Sequence, residues 1–197
     1  MKKLVSAFLF IFLTSSSLLL QSSECDALCM QDACFMAAFS SGYVFKQSDH
    51  TFNQVYGPGM GNIITADFSY HRWQTWAVGA KISYWLAVGH TTFFKHRSFL
   101  QEVPVTFYLR KIHDFRRGLR LYASLGGGFV WMGEQSYLGH SNQVRGIGEA
   151  EIGFNYPVSR CLNFTTAFRY LFPRQSNHGT KVNVGGLDLR GGVGVSF

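Results

Sequence analysis

One pair of residues, Ser176 and His178, has types and spacing suited to nucleophilic chemistry. Residues two apart lie on the same face of an extended strand, so the imidazole could reach the hydroxyl. A serine hydroxyl becomes a useful nucleophile only with such a base within hydrogen-bond reach. The same stretch can also form an ordinary Ser-Asn-His-Gly surface turn, and both interpretations stay open here.

Four cysteines form a second group with reactive side chains, namely Cys25, Cys29, Cys34 and Cys161. The compartment of an exported chain is oxidising, so disulfides within or between chains are compatible with this set. A metal site is the alternative, but no histidine lies near the first three cysteines at ligand-like spacing. We therefore expect disulfides, with the pairing left open, and neither a metal nor a cofactor.

The composition is poor in the charged residues that a water-exposed surface needs. Charged residues make up 15% of the 197 residues, whereas hydrophobic residues reach 47%. An ordinary soluble domain has roughly 25% charged residues. The formal net charge of +7 could suggest nucleic acid, but the basic residues are scattered and no run exceeds Arg116 and Arg117. We expect no nucleic-acid partner.

The first residues are typical of an export signal. A basic pair, an apolar run and a small-residue region follow one another as Lys2–Lys3, Leu4–Leu13 and Ser15–Ser23. The alternative, a membrane-spanning helix, needs roughly 20 apolar residues, and Thr14 to Ser17 interrupts the run before that length. We predict a signal peptide at 1–24, cut between about 17 and 27, and one domain at 25–197.

After the signal, apolar and polar residues alternate in eight successive segments. Such alternation gives a strand with one apolar and one polar face. The segments are Phe35–Lys46, Ile63–His71, Trp76–Val88, Phe99–Lys111, Leu119–Trp131, Glu149–Tyr156, Leu162–Phe172 and Gly185–Phe197. Each approaches the roughly 9 to 11 residues that a tilted strand needs to cross a bilayer. Pro104 removes one ladder donor and predicts a bulge or a local edge.

The links between these segments alternate in length. They are brief after segments two, four and six, and longer after segments one, three, five and seven. This asymmetry is typical of the periplasmic turns and surface loops of outer-membrane barrels. We predict an all-β fold, an eight-stranded antiparallel transmembrane β-barrel with short periplasmic turns, in which Cys34 and Cys161 lie at the periplasmic rim.

The polar face separates this prediction from a soluble barrel of the lipocalin kind. A water-facing surface would be rich in Lys, Glu and Asp, but this face is mostly Gly, Ser, Thr and Ala. Its few ions balance in sign, with Asp67, Glu102, Glu149, Glu151 and Asp188 against Lys81, Arg110, Arg120, Arg169 and Arg190. An unpaired buried charge is costly, so we interpret this face as a lumen with neutralised ions. The charge-free face meets lipid.

An eight-stranded lumen is filled by side chains, so we expect no open pore and place function at the rims, loops or outer wall. Basic residues occur in the predicted surface loops, namely His50, His90, Lys95, His96, Arg97, His140, Arg174, His178 and Lys181. Such loops would lie at phosphate-bearing head groups of the outer leaflet. Lipopolysaccharide is therefore the expected partner, with plain solvated loops as the alternative.

The last segment, Gly185–Phe197, ends on an aromatic residue. It resembles the closing strand of bacterial outer-membrane β-barrels. In that family the terminal aromatic is part of the signal that the assembly machinery reads. The resemblance implies that machinery as a partner through Phe197, and the cell outer membrane as the location.

The stretch Arg169–Gly186 is similar to the C-terminal region of the lipid A 3-O-deacylase (acyloxyacyl hydrolase) family of eight-stranded barrels. In that family an arginine-aromatic strand precedes a His-x-Ser-Asn motif. The serine is the nucleophile, the histidine is the base, and an acidic residue on the next strand orients the base. Ser176 and Asn177 match the Ser-Asn pair, and Asp188 falls near the acidic position. The resemblance implies Ser176 and Asp188 as catalytic residues.

The chain departs from this motif at Arg174, which stands where the family has its base. A guanidinium cannot accept a proton at ordinary pH, which leaves His178 as the candidate base. Strand parity points Asp188 inward and Ser176 outward, so the triad would need an irregular loop. We therefore predict an outer-membrane barrel with a structural or surface role in contact with lipid. A serine-type lipid A esterase is the alternative.

Overall fold

The computed structural model describes residues 34–46, 56, 60–73, 75–90, 96–115, 118–136, 139–159, 161–173 and 185–197. Eight strands account for most of them: β1 (Cys34–Lys46), β2 (Met60–Trp73), β3 (Trp76–His90), β4 (Arg97–Asp114), β5 (Arg120–Ser136), β6 (Gly139–Pro157), β7 (Leu162–Pro173) and β8 (Gly186–Ser196). Each strand is antiparallel to its neighbours, and β8 pairs with β1. The predicted eight-stranded antiparallel barrel is confirmed.

The two ends of the described chain close the barrel against each other. The Phe35 amide donates to the Phe197 carbonyl, and the Phe197 amide donates to the Phe35 carbonyl, each over 2.9 Å. Their rings stack on the outer wall with centroids 6.2 Å apart. Closure matters because an open sheet edge in hydrocarbon would leave backbone donors and acceptors unpaired.

The predicted orientation of the two faces is confirmed along every strand. Leu125 is 70% exposed on the outer wall, whereas Arg169, on the inner face, is 0% exposed. The outer wall is apolar because it has no water to meet in a bilayer. One detail of the prediction is wrong, since the outer wall does carry a charge at Lys111, where β4 approaches its end.

The short links after β2, β4 and β6 lie at one end of the barrel, which we call the turn end. Both predicted rim cysteines lie here: Cys34 begins β1, and the Ser196 amide donates to the Cys161 carbonyl over 2.9 Å. The opposite end, the loop end, has long links after β1 (47–59) and β7 (174–185), whereas the link after β3 (91–96) is nearly as short as the link after β4 (115–119).

The predicted long link after the fifth strand is wrong. β5 and β6 remain paired up to Ser136 and Gly139, so only residues 137–138 separate them. Pairing satisfies the backbone donors and acceptors that a loop would leave to water. β6 pairs with β7 only from Ile147 onward, so Gly139 to Gly146 extend as a two-stranded ribbon with β5.

Pro104 interrupts the ladder without shifting it. The β3–β4 pairs stop at Ile82 with Val105 and resume at Trp85 with Glu102 in the same register. The local edge is therefore present, but the predicted bulge is not. The missing proline amide removes a donor, whereas the backbone path stays extended.

Two tyrosines in the lumen each lie directly over a glycine of a neighbouring strand. Tyr108 on β4 pairs in register with Gly79 on β3, and Tyr122 on β5 pairs with Gly153 on β6. A Cβ at either glycine would collide with the tyrosine ring and with a backbone carbonyl. Glycine is required at both positions because the ring occupies the space that a side chain would fill.

Candidate functional site

In the described residues the lumen carries ten buried charged side chains, which we call the ion belt. They are Asp67, Glu102, Glu149, Glu151 and Asp188 with Lys46, Lys81, Arg110, Arg169 and Arg190. Nine of the ten belong to the predicted set. The tenth is Lys46, which was not predicted, and the predicted Arg120 is not in the belt. Arg120 begins β5 at the turn end, where its side chain is 57% exposed and pairs with Asp114 over 3.1 Å. The sequence assigned Arg120 to the correct face of β5. At the end of the barrel, however, a side chain on that face reaches water.

Two glutamates of β6 form the centre of the belt. Lys81 Nζ donates to Glu149 Oε1 over 2.7 Å and lies 3.0 Å from Glu151 Oε2. The Thr106 hydroxyl donates to Glu149 Oε2 over 2.7 Å. Arg110 Nη2 lies 3.4 Å from Glu151 Oε1. Residues from β3, β4 and β6 thus meet at one level of the lumen.

The belt continues onto β7 and β8 through Asp188. Arg169 Nε donates to Asp188 Oδ2 over 2.7 Å, and Arg190 Nε lies 2.6 Å from Asp188 Oδ1. Arg190 also binds Glu151. On the other side, Arg110 Nη2 donates to Asp67 Oδ2 over 2.7 Å, which brings in β2. Glu151 and Asp188 each have two or more basic partners, which offset part of the cost of burying these charges.

This geometry closes the barrel at the level of the belt. The side chains of Lys81, Glu149, Arg169 and Asp188 are all 0% exposed, so a water molecule cannot reach them from either end. The belt also contains five acids and five bases, so its formal charge is zero. A neutral, filled lumen gives ions or solutes no path at this level.

Apolar clusters lie on both sides of the belt. Toward the turn end the cluster is Ala77, Ile112, Tyr122 and Ala167. Toward the loop end there are two clusters, Val44, Ile63, Trp85, Ala87 and Leu100, and Val130, Met132, Ile147 and Leu171. The Lys46–Glu102 ion pair, which belongs to the belt, lies beside the first of these clusters. Lys46 Nζ is 4.8 Å from the Trp85 ring centroid. Side chains therefore fill the lumen above and below the ions.

Tyr56 covers the loop end of the lumen. Its ring packs against the cluster around Trp85, and its hydroxyl donates to Glu134 Oε1 over 2.9 Å. Burial raises the pKa of Tyr56 above its ordinary value, and the hydrogen bond and negative charge of Glu134 raise it further. The contact ties the link after β1 to the ribbon of β5 and β6.

Exposed basic residues lie around the loop end. Of the predicted loop residues, His90, His96, Arg97 and His140 are described, and all four are exposed. Arg97 pairs in register with His90 where β3 and β4 begin to separate. The predicted residues outside the described part are His50, Lys95, Arg174, His178 and Lys181. Sequence reasoning missed Arg145, which lies on the ribbon and donates to Gln143 Oε1 over 2.8 Å.

The predicted catalytic residues are not brought together in the part of the chain that the structure describes. Asp188 lies inside the barrel, where its two carboxylate oxygens contact Arg169 and Arg190. Ser176 and His178 lie outside the described residues. The triad stays a prediction, and the parity argument that placed Asp188 on the inner face is confirmed.

Two further features of the described residues bear on function. Cys34 is disulfide-bonded. Cys25 and Cys29 lie outside the described part. Within that part, no group of three or more His, Cys, Asp or Glu side chains is arranged to hold a metal ion. No helix in it is long and apolar enough to cross a membrane.

The barrel has the fold of the small eight-stranded outer-membrane proteins of bacteria. No protein-family model and no curated protein sequence matches the chain. Among solved structures, OprG from Pseudomonas aeruginosa is similar with a TM-score of 0.65 at 14% identity, covering 85% of this chain and 97% of that one. Neisserial surface protein A gives 0.61 at 15%, covering 85% and 100%.

A third similar structure is Ail, the attachment invasion locus protein of Yersinia pestis, in complex with the heparin analogue sucrose octasulfate. Its TM-score is 0.55 at 12% identity, with coverage of 85% of this chain and 100% of that chain. At these identities the likeness is one of fold. These structures are of outer-membrane proteins, in agreement with the location that the sequence predicts.

Proposed function

We propose that this protein is a structural barrel of the outer membrane whose loop end binds the phosphate groups of lipopolysaccharide. The ion belt is the observation that carries the proposal, because a filled and neutral lumen leaves the outer surfaces as the places where the protein can act. With the turn end in the periplasm, the loop end lies at the outer leaflet.

The charges at the loop end favour an anionic partner. Arg97 and the three described loop histidines are exposed there, and Arg145 lies on the ribbon with its side chain half-buried. Glu134 is a described acid at this end, and its carboxylate binds the Tyr56 hydroxyl. Each cation near a lipid head group contributes on the order of 1 kcal/mol, so a few of them suffice for selective binding.

The Ail complex supports the same class of ligand. Sucrose octasulfate is a polyanion, and it is bound by a barrel of similar fold. Lipopolysaccharide presents several phosphates at the height where the loop-end cations of this chain would lie. The shared property is a dense set of negative charges on a compact head group.

Binding of lipopolysaccharide to the purified, folded protein tests this proposal. We expect the double variant Arg97→Gln, Arg145→Gln to bind about 25-fold more weakly, from roughly 1 kcal/mol per cation. Arg120→Gln removes one exposed cation at the turn end and should leave the affinity unchanged. Equal affinities for the wild type and the double variant would refute the proposal, as would an equal loss with Arg120→Gln.

Export and assembly complete the proposal. The signal peptide at 1–24 would direct the chain out of the cytoplasm, and β8 with Phe197 would engage the outer-membrane assembly machinery. The oxidising periplasm suits the disulfide at Cys34. In fractionated cells the mature protein should be found with the outer membrane and migrate differently when unheated on a detergent gel. A soluble periplasmic pool would contradict this location.

A lipid A acyl-ester hydrolase is the second candidate. The Ser176–Asn177 match to the deacylase motif supports it, with Ser176 as nucleophile, His178 as base and Asp188 as orienting acid. The two arginine partners of Asp188 weigh against that role, because its carboxylate oxygens are already engaged. The surface-binding role therefore has the stronger support.

A further inference from the structure

A groove of about 560 Å³ crosses the outer wall near the turn end. Two adjacent rows of outward residues line it from β4 across β5, β6 and β7 to Leu189 on β8. In one row Lys111 pairs with Ala123, and Ala123 pairs with Ile152. In the other, His113 pairs with Leu121, and Leu121 pairs with Phe154. The volume is within the range of roughly 300–1,000 Å³ that is usual for ligand sites.

Small residues between large ones produce the groove. Ala123 on β5 and Gly153 on β6 form its floor, and Ile152 and Phe154 rise beside them. Gly153 must stay without a side chain because the Tyr122 ring fills the space on its inner side. On the outer side, the small side chain of Ala123 leaves the depression open, and the lining is almost wholly apolar.

A cation lies at this groove. Lys111 lines it, and its Nζ is 5.6 Å from the centroid of the outward Trp76 ring. Arg97 is another outward charge on β4, and it lies at the loop end. Tryptophan and lysine together are typical of the boundary between hydrocarbon and head groups. Lys111 is therefore placed at the level of the periplasmic phosphates.

We propose that this groove binds one anionic phospholipid of the periplasmic leaflet, with an acyl chain along Ala123 and Gly153 and the phosphate at Lys111. A long apolar depression with a cation at one end complements an acyl chain that carries a negative head group. Lipid A belongs to the other leaflet and would have to reach the turn end. The inference rests on the proposed membrane orientation but not on lipopolysaccharide binding at Arg97 and Arg145.

Native mass spectrometry of the folded protein, released from nanodiscs with equal phosphatidylglycerol and phosphatidylethanolamine of identical chains, tests the proposal. The wild type should retain one phosphatidylglycerol. In Lys111→Gln the retained ratio of phosphatidylglycerol to phosphatidylethanolamine should fall about fivefold, the share of one cation at a lipid surface. Ala123→Leu, which fills the floor, should reduce retention of both lipids.

Matched controls make the result specific to the groove. Arg120→Gln removes an exposed cation at the turn end that does not line the groove, and Ala66→Leu enlarges an outward alanine on β2 outside the groove. Both should retain phosphatidylglycerol as the wild type does, and a heat-shift gel shows that each variant is folded. An unchanged ratio in Lys111→Gln overturns the proposal, as does equal loss in the controls or displacement of the bound lipid by added lipid A. If the proposed location in the outer membrane is wrong, cell fractionation will show it independently of this lipid measurement.

Discussion

Arg169 and Asp188 face each other across the β7–β8 ladder, and Arg169 Nε donates to Asp188 Oδ2 over 2.7 Å in the interior of the barrel. Arg169 also contacts Glu149 on β6, and Asp188 also contacts Arg190 on its own strand. This pair therefore links the closing strand to the centre of the lumen. It also gives Asp188 a structural role that does not involve the loop before β8.

Asp188→Asn should strongly destabilise the barrel. The substitution leaves the buried guanidinium groups of Arg169 and Arg190 with one carboxylate fewer, and breaking a buried ion pair costs about 3–5 kcal/mol. The midpoint of urea unfolding, followed by the heat-shift on a gel, measures this loss. Asp114→Asn breaks the exposed pair with Arg120 and should cost less than about 1 kcal/mol. Equal midpoints for the two variants would contradict the structural role of Asp188.

Gly79→Ala should impair folding, whereas Gly191→Ala should not. A Cβ at Gly79 meets the Tyr108 ring and the Phe68 carbonyl, but a Cβ at Gly191 meets nothing within 4 Å. Overpacking of this kind typically costs about 1–3 kcal/mol. The folded fraction after refolding in detergent, read from the heat-shift, is the measurement. A Gly79→Ala barrel as stable as Gly191→Ala would show that the ring can move aside.

The Tyr56–Glu134 contact predicts an alkaline loss of stability. The pKa of Tyr56 is raised in the folded protein, so above the ordinary tyrosine pKa of about 10 the unfolded chain loses a proton that the folded chain keeps. Stability then falls as pH rises, because the folded state binds more protons. The urea midpoint should fall more between pH 9 and about pH 11 in the wild type than in Tyr56→Phe. Parallel curves for the two proteins would contradict the assignment.

Lipid A from cells that express the wild type or Ser176→Ala tests the hydrolase alternative. An active serine esterase should remove one acyl chain in the wild type only, and mass spectrometry resolves that difference. The surface-binding account predicts two identical spectra without deacylation. A mass difference of one acyl chain would establish the enzyme and would assign Ser176 as its nucleophile.

The alternation of residues was enough to predict the barrel and most of its lumen. Leu187, Leu189 and Val193 alternate with Asp188 and Arg190 on β8, and this simple pattern fixed which side chains are buried. The position of a side chain along the barrel axis was harder to predict, because the alternation of faces is the same at the end of a strand as at its centre. Arg120 was therefore assigned to the interior, although it reaches water, and Lys46 was left out of the ion set.

The β5–β6 ribbon and the contacts of Asp188 were harder to predict from the sequence. Gly139 to Gly146 carry polar residues on both faces, so they have no alternation to distinguish a strand beyond the membrane from a loop. Asp188 satisfied two patterns at once, the sign balance of the lumen and the acidic position of the deacylase motif. Its contact with Arg169 depends on how β7 and β8 pair in space, and no local pattern in the sequence records that pairing.

The central claim is that the ion belt closes the lumen, so the protein acts from its surfaces. Conductance of the refolded wild-type protein in a planar lipid bilayer tests this claim most directly. Because the side chains of Lys81, Glu149, Arg169 and Asp188 exclude water, we predict no stepwise current above that of the bare bilayer. Reproducible single-channel steps from the folded protein would contradict the closed lumen, and with it the surface role.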